Sequence, residues 1–102
     1  MITRIVKLEF DEDQTEEFLR FFDTVANQIN DFPGCKGMKL YQDIERPNII
    51  ITYSYWNSEE ELSNYRNSDV FNEIWPKIKP WFSAKPVAWS VGAYFDGFKS
   101  KE

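Results

Sequence analysis

Histidine is absent from this sequence of 102 residues, and cysteine occurs only once, at Cys35. Without histidine, the chain lacks the commonest general base, the usual zinc ligand and the usual axial ligand of haem. A single cysteine excludes both an intramolecular disulfide and a multi-cysteine metal site. The sequence therefore predicts no metal, no cofactor and no catalysis by a Ser-His or Cys-His pair.

Positive charge and long apolar runs are also scarce. Lysine and arginine number 12 against 17 aspartate and glutamate residues, which gives a net charge of −5. Nucleic-acid binders concentrate positive charge, so this balance predicts no nucleic-acid partner. Because the sequence has no apolar run of about 18 residues and no signal-peptide pattern, we expect no membrane partner and a cytoplasmic location.

Aromatic residues, by contrast, are abundant. The chain has 9 phenylalanines, 5 tyrosines and 4 tryptophans, a heavy load for a small acidic protein. Such side chains fill cores, interfaces and flat apolar ligand pockets, and composition alone does not divide them among these uses. The length predicts a single domain over residues 1–102, with a loose tail from Asp96 onward.

Hydrophobic periodicity predicts the secondary structure. Alternation and β-branched residues indicate strands over residues 2–10, 35–43, 48–56 and 87–95. Apolar residues three and four apart indicate a helix over residues 14–30, for which Asp13 is the predicted N-cap. Ser58 and Ser68 are predicted to cap later helices, and Pro76 and Pro80 should leave that region as two or three short helical pieces.

The order strand, helix, strand, strand, helices, strand predicts a ferredoxin-like, split βαβ fold of the α+β class. Its four antiparallel strands should carry the helices on one face. The third strand, over residues 48–56, is apolar on both faces, and the helices can cover only one of them. We therefore expect a second copy of the chain to cover the other face, giving a homodimer.

Three stretches of the sequence carry a family resemblance: FPGC at residues 32–35, YSYWNSE at 53–59 and LSNYRNSDVF at 62–71. With the element order, they resemble the antibiotic biosynthesis monooxygenase family of dimeric α+β barrels. The resemblance covers nearly the whole chain and implies that two subunits pack sheet against sheet, each keeping a small pocket between its own sheet and helices. Enzymes of that family oxidise aromatic or polyketide-like substrates, or haem, with O₂ and no dedicated prosthetic group.

The family's functional residues carry over only in part. Trp56 matches a tryptophan at the end of the third strand, whereas Thr52 and Leu62 stand where members that oxidise aromatic polyketides have Asn and Tyr. The Asn, Trp and His positions of haem-degrading members hold Val6, Tyr65 and Trp75. Because that histidine ligates the iron, the resemblance does not imply haem degradation here.

If the resemblance extends to function, a small apolar or aromatic molecule should bind between the helices and the inner strand face. The predicted pocket comprises Val6, Leu8, Thr52, Ser54, Trp56, Tyr65, Phe71 and Trp75. Such a site should prefer flat, weakly polar molecules to charged ones. Trp56, Tyr65 and Trp75 could equally be core residues. Arg4 either enters the pocket or reaches solvent, and Arg66 is interpreted as a solvated helix residue.

Three functions remain open from the sequence. The first is a cofactor-independent monooxygenase acting on a small aromatic or polyketide-like substrate. The second is a protein that binds or isomerises a small apolar molecule without oxidising it. The third is a structural or stress-related dimer whose pocket is filled by its own side chains. An open cavity beside Trp56 would favour the first two functions over the third.

Overall fold

A computed structural model describes residues 1–98 as four strands and three helices. The strands are β1 (Ile2–Glu9), β2 (Cys35–Gln42), β3 (Ile49–Trp56) and β4 (Val87–Val91). The helices are α1 (Thr15–Asn30), α2 (Glu59–Arg66) and α3 (Asp69–Ile78). Short 3₁₀ turns precede α1 at Glu12–Gln14 and follow α3 at Lys79–Trp81. The first 76 residues thus contain three of the four strands, the first two helices and most of α3.

The strands form one antiparallel sheet in the order β2-β3-β1-β4. In the register of β1 and β3, Val6 lies opposite Thr52 and Leu8 opposite Ile50, and these side chains share the face that the helices cover. We call this the inner face. The intervening residues, such as Ile5 opposite Tyr53, share the outer face.

The starts of the helices agree only partly with the sequence prediction. Ser58 Oγ accepts a hydrogen bond from the Glu61 backbone N–H at 3.2 Å, as the predicted cap of α2 requires. Ser68 Oγ likewise caps α3. The predicted cap by Asp13 is wrong: Asp13 lies inside the 3₁₀ turn, and α1 begins without a side-chain cap. That turn is closed instead by the backbone hydrogen bond from Gln14 N–H to the Asp11 carbonyl.

The last strand is shorter than the alternation predicts, because β4 ends at Val91 rather than at residue 95. β4 pairs only with β1, and Val91 is already opposite Thr3, near the beginning of that strand. Further pairing would run past the end of its partner. Residues 92–98 have no regular structure, and residues 99–102 of the predicted loose tail lie outside the described part of the chain.

The core lies between the inner face and the helices. Phe10 and Ile50 are fully buried, and the Phe10 ring stacks on Phe18 of α1 with centroids 4.3 Å apart. The buried Asn48 side chain donates to the Phe10 carbonyl oxygen at 3.0 Å, which satisfies a polar group beside this core. The contact between Phe10 and Phe18 thus holds α1 against the sheet. Larger aromatic rings pack in the region of α2 and α3.

The outer face carries a group of apolar and aromatic side chains with no helix above it, and Lys7 and Lys39 lie on the same face. Its central residues are Ile5, Ile51 and Tyr53, and β4 extends it with three exposed residues, Val87, Trp89 and Val91. The Tyr53 hydroxyl donates to the Tyr55 hydroxyl at 2.8 Å, so even the polar tips of these rings are turned toward each other. An apolar surface of this kind is typical of an interface.

Candidate functional site

A cavity of about 350 Å³ lies between the inner face of the sheet and the helices. Residues of β1 and β3 form its floor, and α1, α2 and α3 supply its walls. This volume falls within the range of small-molecule sites, about 300–1,000 Å³. The fold therefore leaves room for a ligand at the place where the sequence predicts one.

The structure brings all eight sequence-predicted pocket residues to this cavity. They are Val6, Leu8, Thr52, Ser54, Trp56, Tyr65, Phe71 and Trp75. Strand alternation explains the first five, because side chains two residues apart share a face. Phe71 and Trp75 are one turn apart on α3, and their rings stack at 5.6 Å with an interplanar angle of 10°. Binding of a ligand by these residues remains a prediction.

The mouth of the cavity lies between α2 and β4. Among the lining residues, Arg66 at the end of α2 and Ala88 on β4 are exposed, and Arg4 on the intervening strand β1 is half-buried. Arg4 Nη1 donates to Ser90 Oγ on β4 at 3.0 Å. Two guanidinium groups therefore border the entrance of a cavity whose interior is mostly apolar.

A run of aromatic rings forms the wall beneath α2 and α3. The Trp56 and Tyr65 rings stack with centroids 5.1 Å apart, and Tyr65 meets Phe71 edge to face at 5.4 Å. Phe71 then stacks on Trp75, whose ring contacts Phe82 at 5.5 Å. Such contacts hold the rings in defined orientations, so the wall offers flat surfaces to a ligand.

Trp56 is both a core residue and a lining residue. Its side chain is only 1% exposed, and the indole Nε1–H donates to Ser54 Oγ at 2.9 Å. Because the indole has a single N–H donor, this bond leaves the ring without a donor for a ligand. Trp56 therefore supplies an apolar surface to the cavity, and the Ser54 hydroxyl proton remains available for a hydrogen bond.

The Tyr65 phenol is an uncharged hydrogen-bond donor in the cavity lining, in addition to the hydroxyl groups of Thr52 and Ser54. Burial in this aromatic setting, together with the nearby Cys35 thiol, raises the pKa of Tyr65 to about 12. Removal of water disfavours the phenolate, so the hydroxyl keeps its proton at neutral pH. Tyr65 can therefore donate to an oxygen atom of a ligand, but it cannot act as a base there.

The raised pKa of Tyr65 predicts a pH dependence of stability. The ordinary pKa is 10.0 and the folded value is about 12, so the folded chain holds this proton more tightly. Its stabilising contribution is complete below pH 10 and is lost as the pH rises toward 12, by at most about 2–3 kcal/mol. Unfolding experiments across this range should show a steeper loss for the wild type than for Tyr65→Phe. Equal slopes would contradict the assignment.

The two arginines affect each other. Burial, and after it the neighbouring Arg66 guanidinium, lower the pKa of Arg4, whereas Glu59 at the start of α2 raises it. Both arginines carry a positive charge at neutral pH, because a guanidinium group is effectively never deprotonated in proteins. Within residues 1–98, neither has a carboxylate within ion-pair distance. Their charges therefore face the cavity mouth rather than an internal partner.

Sequence reasoning missed Arg66 as a lining residue. The interpretation of Arg66 as a solvated helix residue is confirmed by its exposure on α2, and its side chain also borders the cavity. The only available signal was Tyr65, which is adjacent in sequence and already predicted to face the pocket. Arg4, for which two positions were left open, lines the cavity while remaining half-buried.

Other kinds of site are not formed by the described residues. Within residues 1–98, no three carboxylate or thiol groups come together in a way that could hold a metal ion. No helix in the same range is long and apolar enough to cross a membrane. The cavity between the sheet and the helices is therefore the candidate functional site.

A match between a family sequence profile and most of the chain shows the family of this protein. Residues 1–76 match the sequence profile described as antibiotic biosynthesis monooxygenase, a stretch that includes both arginines and all eight predicted pocket residues. This chain belongs to the antibiotic biosynthesis monooxygenase family. The resemblance inferred from the three sequence stretches is thereby confirmed. No protein of curated function matches the sequence.

Solved structures share the fold of this chain. A protein from Nitrosomonas europaea, provisionally given the same family name, superposes with a TM-score of 0.85 at 16% identity, over 93% of this chain and 100% of its own. A conserved protein from Methanosarcina mazei Go1 superposes with a TM-score of 0.82 at 23% identity, over 89% of this chain and 91% of its own. A structure named antibiotic biosynthesis monooxygenase superposes with a TM-score of 0.86 at 15% identity, over 91% of this chain and 98% of its own. The predicted ferredoxin-like α+β fold is thus confirmed.

Proposed function

We propose that this member of the family is a cofactor-independent monooxygenase that oxidises a small aromatic or polyketide-like substrate in the cavity between sheet and helices. The observation that carries the proposal is the cavity of about 350 Å³, which opens at one side and is walled by contacting aromatic rings. Flat substrates match such walls by stacking and by exclusion of water. Membership of the family supports the same reaction class.

Oxygenation without a cofactor requires a substrate that supplies the electrons itself. An acidic phenol or methylene loses a proton to water, and its anion gives one electron to O₂. The two radicals combine into a peroxide anion on carbon, which takes up a proton from water. Loss of water from that peroxide leaves a carbonyl, so all the electrons taken up by O₂ come from the substrate. The protein excludes water, holds the flat body of the substrate and donates hydrogen bonds from Tyr65 and Ser54.

Oxygen uptake by the purified protein tests this proposal directly. The substrates are a panel of anthrones and hydroquinones, whose anions give up an electron readily, and the control is the same protein after denaturation. We expect O₂ consumption above the control, with the carbonyl product formed in equal amount. Rates equal to those of the denatured protein for every substrate would contradict the proposal.

Trp56→Phe separates a ligand-contacting role of Trp56 from a purely structural one. The phenyl ring keeps most of the buried volume but removes part of the cavity wall and the hydrogen bond to Ser54. We expect a folded protein, less stable by about 1 kcal/mol, with altered affinity for a flat aromatic ligand. Trp89→Phe is the matched control, since Trp89 lies on the outer face. Unchanged binding and turnover by folded Trp56→Phe would place the ligand elsewhere.

A second candidate function is the binding or isomerisation of an apolar molecule without oxidation. The observation in its favour is that Thr52 and Leu62 replace the polar residues that the family resemblance associates with substrate oxidation. Both line the cavity, so the difference lies within the site itself. Saturable ligand binding without O₂ uptake would favour this function. The open cavity supports either ligand-binding function over a purely structural dimer.

We also propose that the protein is a homodimer joined through its outer faces. The exposed apolar patch formed by Tyr55 and the three apolar residues of β4 supports this arrangement. A second copy would cover that patch and close the two sheets into a barrel, as the family resemblance implies. An obligate interface of this kind buries about 2,000 Å² or more in total.

A further inference from the structure

We infer that the cavity binds an aromatic anion whose negatively charged oxygen lies between the guanidinium groups of Arg4 and Arg66. The inference rests on the proposed function for the aromatic body of the ligand and adds its charge. It departs from the expectation that the site prefers weakly polar molecules. The shared chemistry is an anionic oxygen on a flat ring system, which a carboxylate or an ionised hydroxyl could supply.

The first support is the position of two like charges without an anionic partner. Arg4 and Arg66 both line the cavity, and among the described residues neither forms an ion pair. Arg4 is half-buried, and a buried charge is costly unless an opposite charge or hydrogen-bond acceptors compensate it. Ser90 satisfies one donor of Arg4, and the guanidinium fork has further N–H groups for an anion.

The second support is the set of ionisable groups in the cavity. Within residues 1–98, the only side chains in its lining that could ionise are Arg4, Tyr65 and Arg66. None of them can serve as a base at neutral pH, because Tyr65 holds its proton up to about pH 12 and the arginines remain charged. A substrate that must react as its anion therefore enters ionised, or it loses its proton to water at the mouth, where the positive charge of the arginines lowers its pKa.

Structural roles account for the arginines only in part. Arg66 lies in the last turn of α2, where a cation stabilises the helix end, but this does not require the residue to border the cavity. Glu59 attracts Arg4 from the start of α2, yet it lies beyond ion-pair distance and is not part of the cavity lining. The chain as a whole has a net charge of −5. Two arginines that line one cavity without an ion-pair partner among residues 1–98 therefore give this site a charge opposite to that of the whole chain.

Matched pairs of ligands test the inference. Naphthoate and neutral naphthamide share shape and ring system, as do ionised hydroxynaphthoquinone and its methyl ether. Binding is measured at low ionic strength by calorimetry for the wild type, Arg4→Gln, Arg66→Gln and the control Arg20→Gln. Arg20 lies on α1, pairs with Glu16 and Glu17, and does not line the cavity. Charge-assisted hydrogen bonds predict anion affinities about ten- to hundredfold weaker in each cavity variant.

The neutral partners should bind all folded variants alike, and Arg20→Gln should behave as the wild type. A preference for naphthoate alone assigns a carboxylate, and a preference for hydroxynaphthoquinone alone assigns an ionised hydroxyl. Equal affinity for charged and neutral partners, equal loss of both in the variants, or no binding of any probe would overturn the inference. Arginine-dependent anion binding without O₂ uptake would retain the anion site and reject the monooxygenase. O₂ uptake that is unchanged in both arginine variants would retain the monooxygenase and reject the anion site.

Discussion

Trp56→Ala should lower the free energy of unfolding by about 3–5 kcal/mol, the range measured for loss of a buried large aromatic ring. The indole is 1% exposed, stacks on Tyr65 and donates to Ser54, so truncation removes packing and leaves a buried hydroxyl without its partner. Truncation would enlarge the neighbouring cavity, so no new packing contacts would replace those that the indole makes. Denaturant unfolding followed by circular dichroism measures the loss.

Tyr94→Ala is the control for this substitution. Tyr94 is also a large aromatic residue, but its side chain is fully exposed, so its loss should change stability by less than about 0.5 kcal/mol. A change below about 1 kcal/mol for Trp56→Ala would mean that the indole is not packed as described. It would also remove the basis for assigning Trp56 to the wall of the cavity.

Tyr53→Lys should abolish the proposed dimer. Tyr53 lies at the centre of the outer face, between Ile5 of β1 and Lys39 of β2, and its ring meets Tyr55 edge to face at 5.3 Å. In a sheet-to-sheet dimer, the new ammonium group would be buried without an anionic partner, which commonly costs several kcal/mol per ion. We expect sedimentation as a monomer of 12.2 kDa, or an unfolded chain.

The matched control adds the same charge elsewhere. Gln28 is exposed on α1, far from the outer face in the fold, so Gln28→Lys should leave the dimer intact. Persistence of the dimer in folded Tyr53→Lys would place the interface on another surface. A wild-type protein that sediments as a monomer at micromolar concentration would refute the dimer altogether.

The sequence predicts most of the fold because strand alternation is a local property. Once residues 48–56 are recognised as a strand, Thr52, Ser54 and Trp56 must share a face, and the helices can cover only that face or the opposite one. The spacing of Phe71 and Trp75 places these residues on one side of a helix in the same way. Seven of the eight predicted lining positions, all except Tyr65, follow from strand alternation or helical spacing alone.

What the sequence did not predict depends on distances between elements. Arg66 borders the cavity because α2 packs over β3 and beside α3, and no local pattern in a short polar helix encodes that packing. The end of β4 at Val91 depends on where its partner β1 begins. The start of α1 depends on the 3₁₀ turn Glu12–Gln14, which places Asp13 inside a turn rather than at the cap position.

Strand β1, one of the two central strands, separates the two proposed tasks, ligand binding and subunit assembly, so that natural selection can act on each independently. Arg4, Val6 and Leu8 face the cavity, whereas Thr3 and Ile5 face the outer side, and the two sets alternate along the same eight residues. A point mutation in one set can alter ligand preference and leave subunit assembly untouched. An inserted or deleted residue would exchange the two sets at once. Divergence within this strand should therefore proceed by substitution, while changes in length accumulate in the loops.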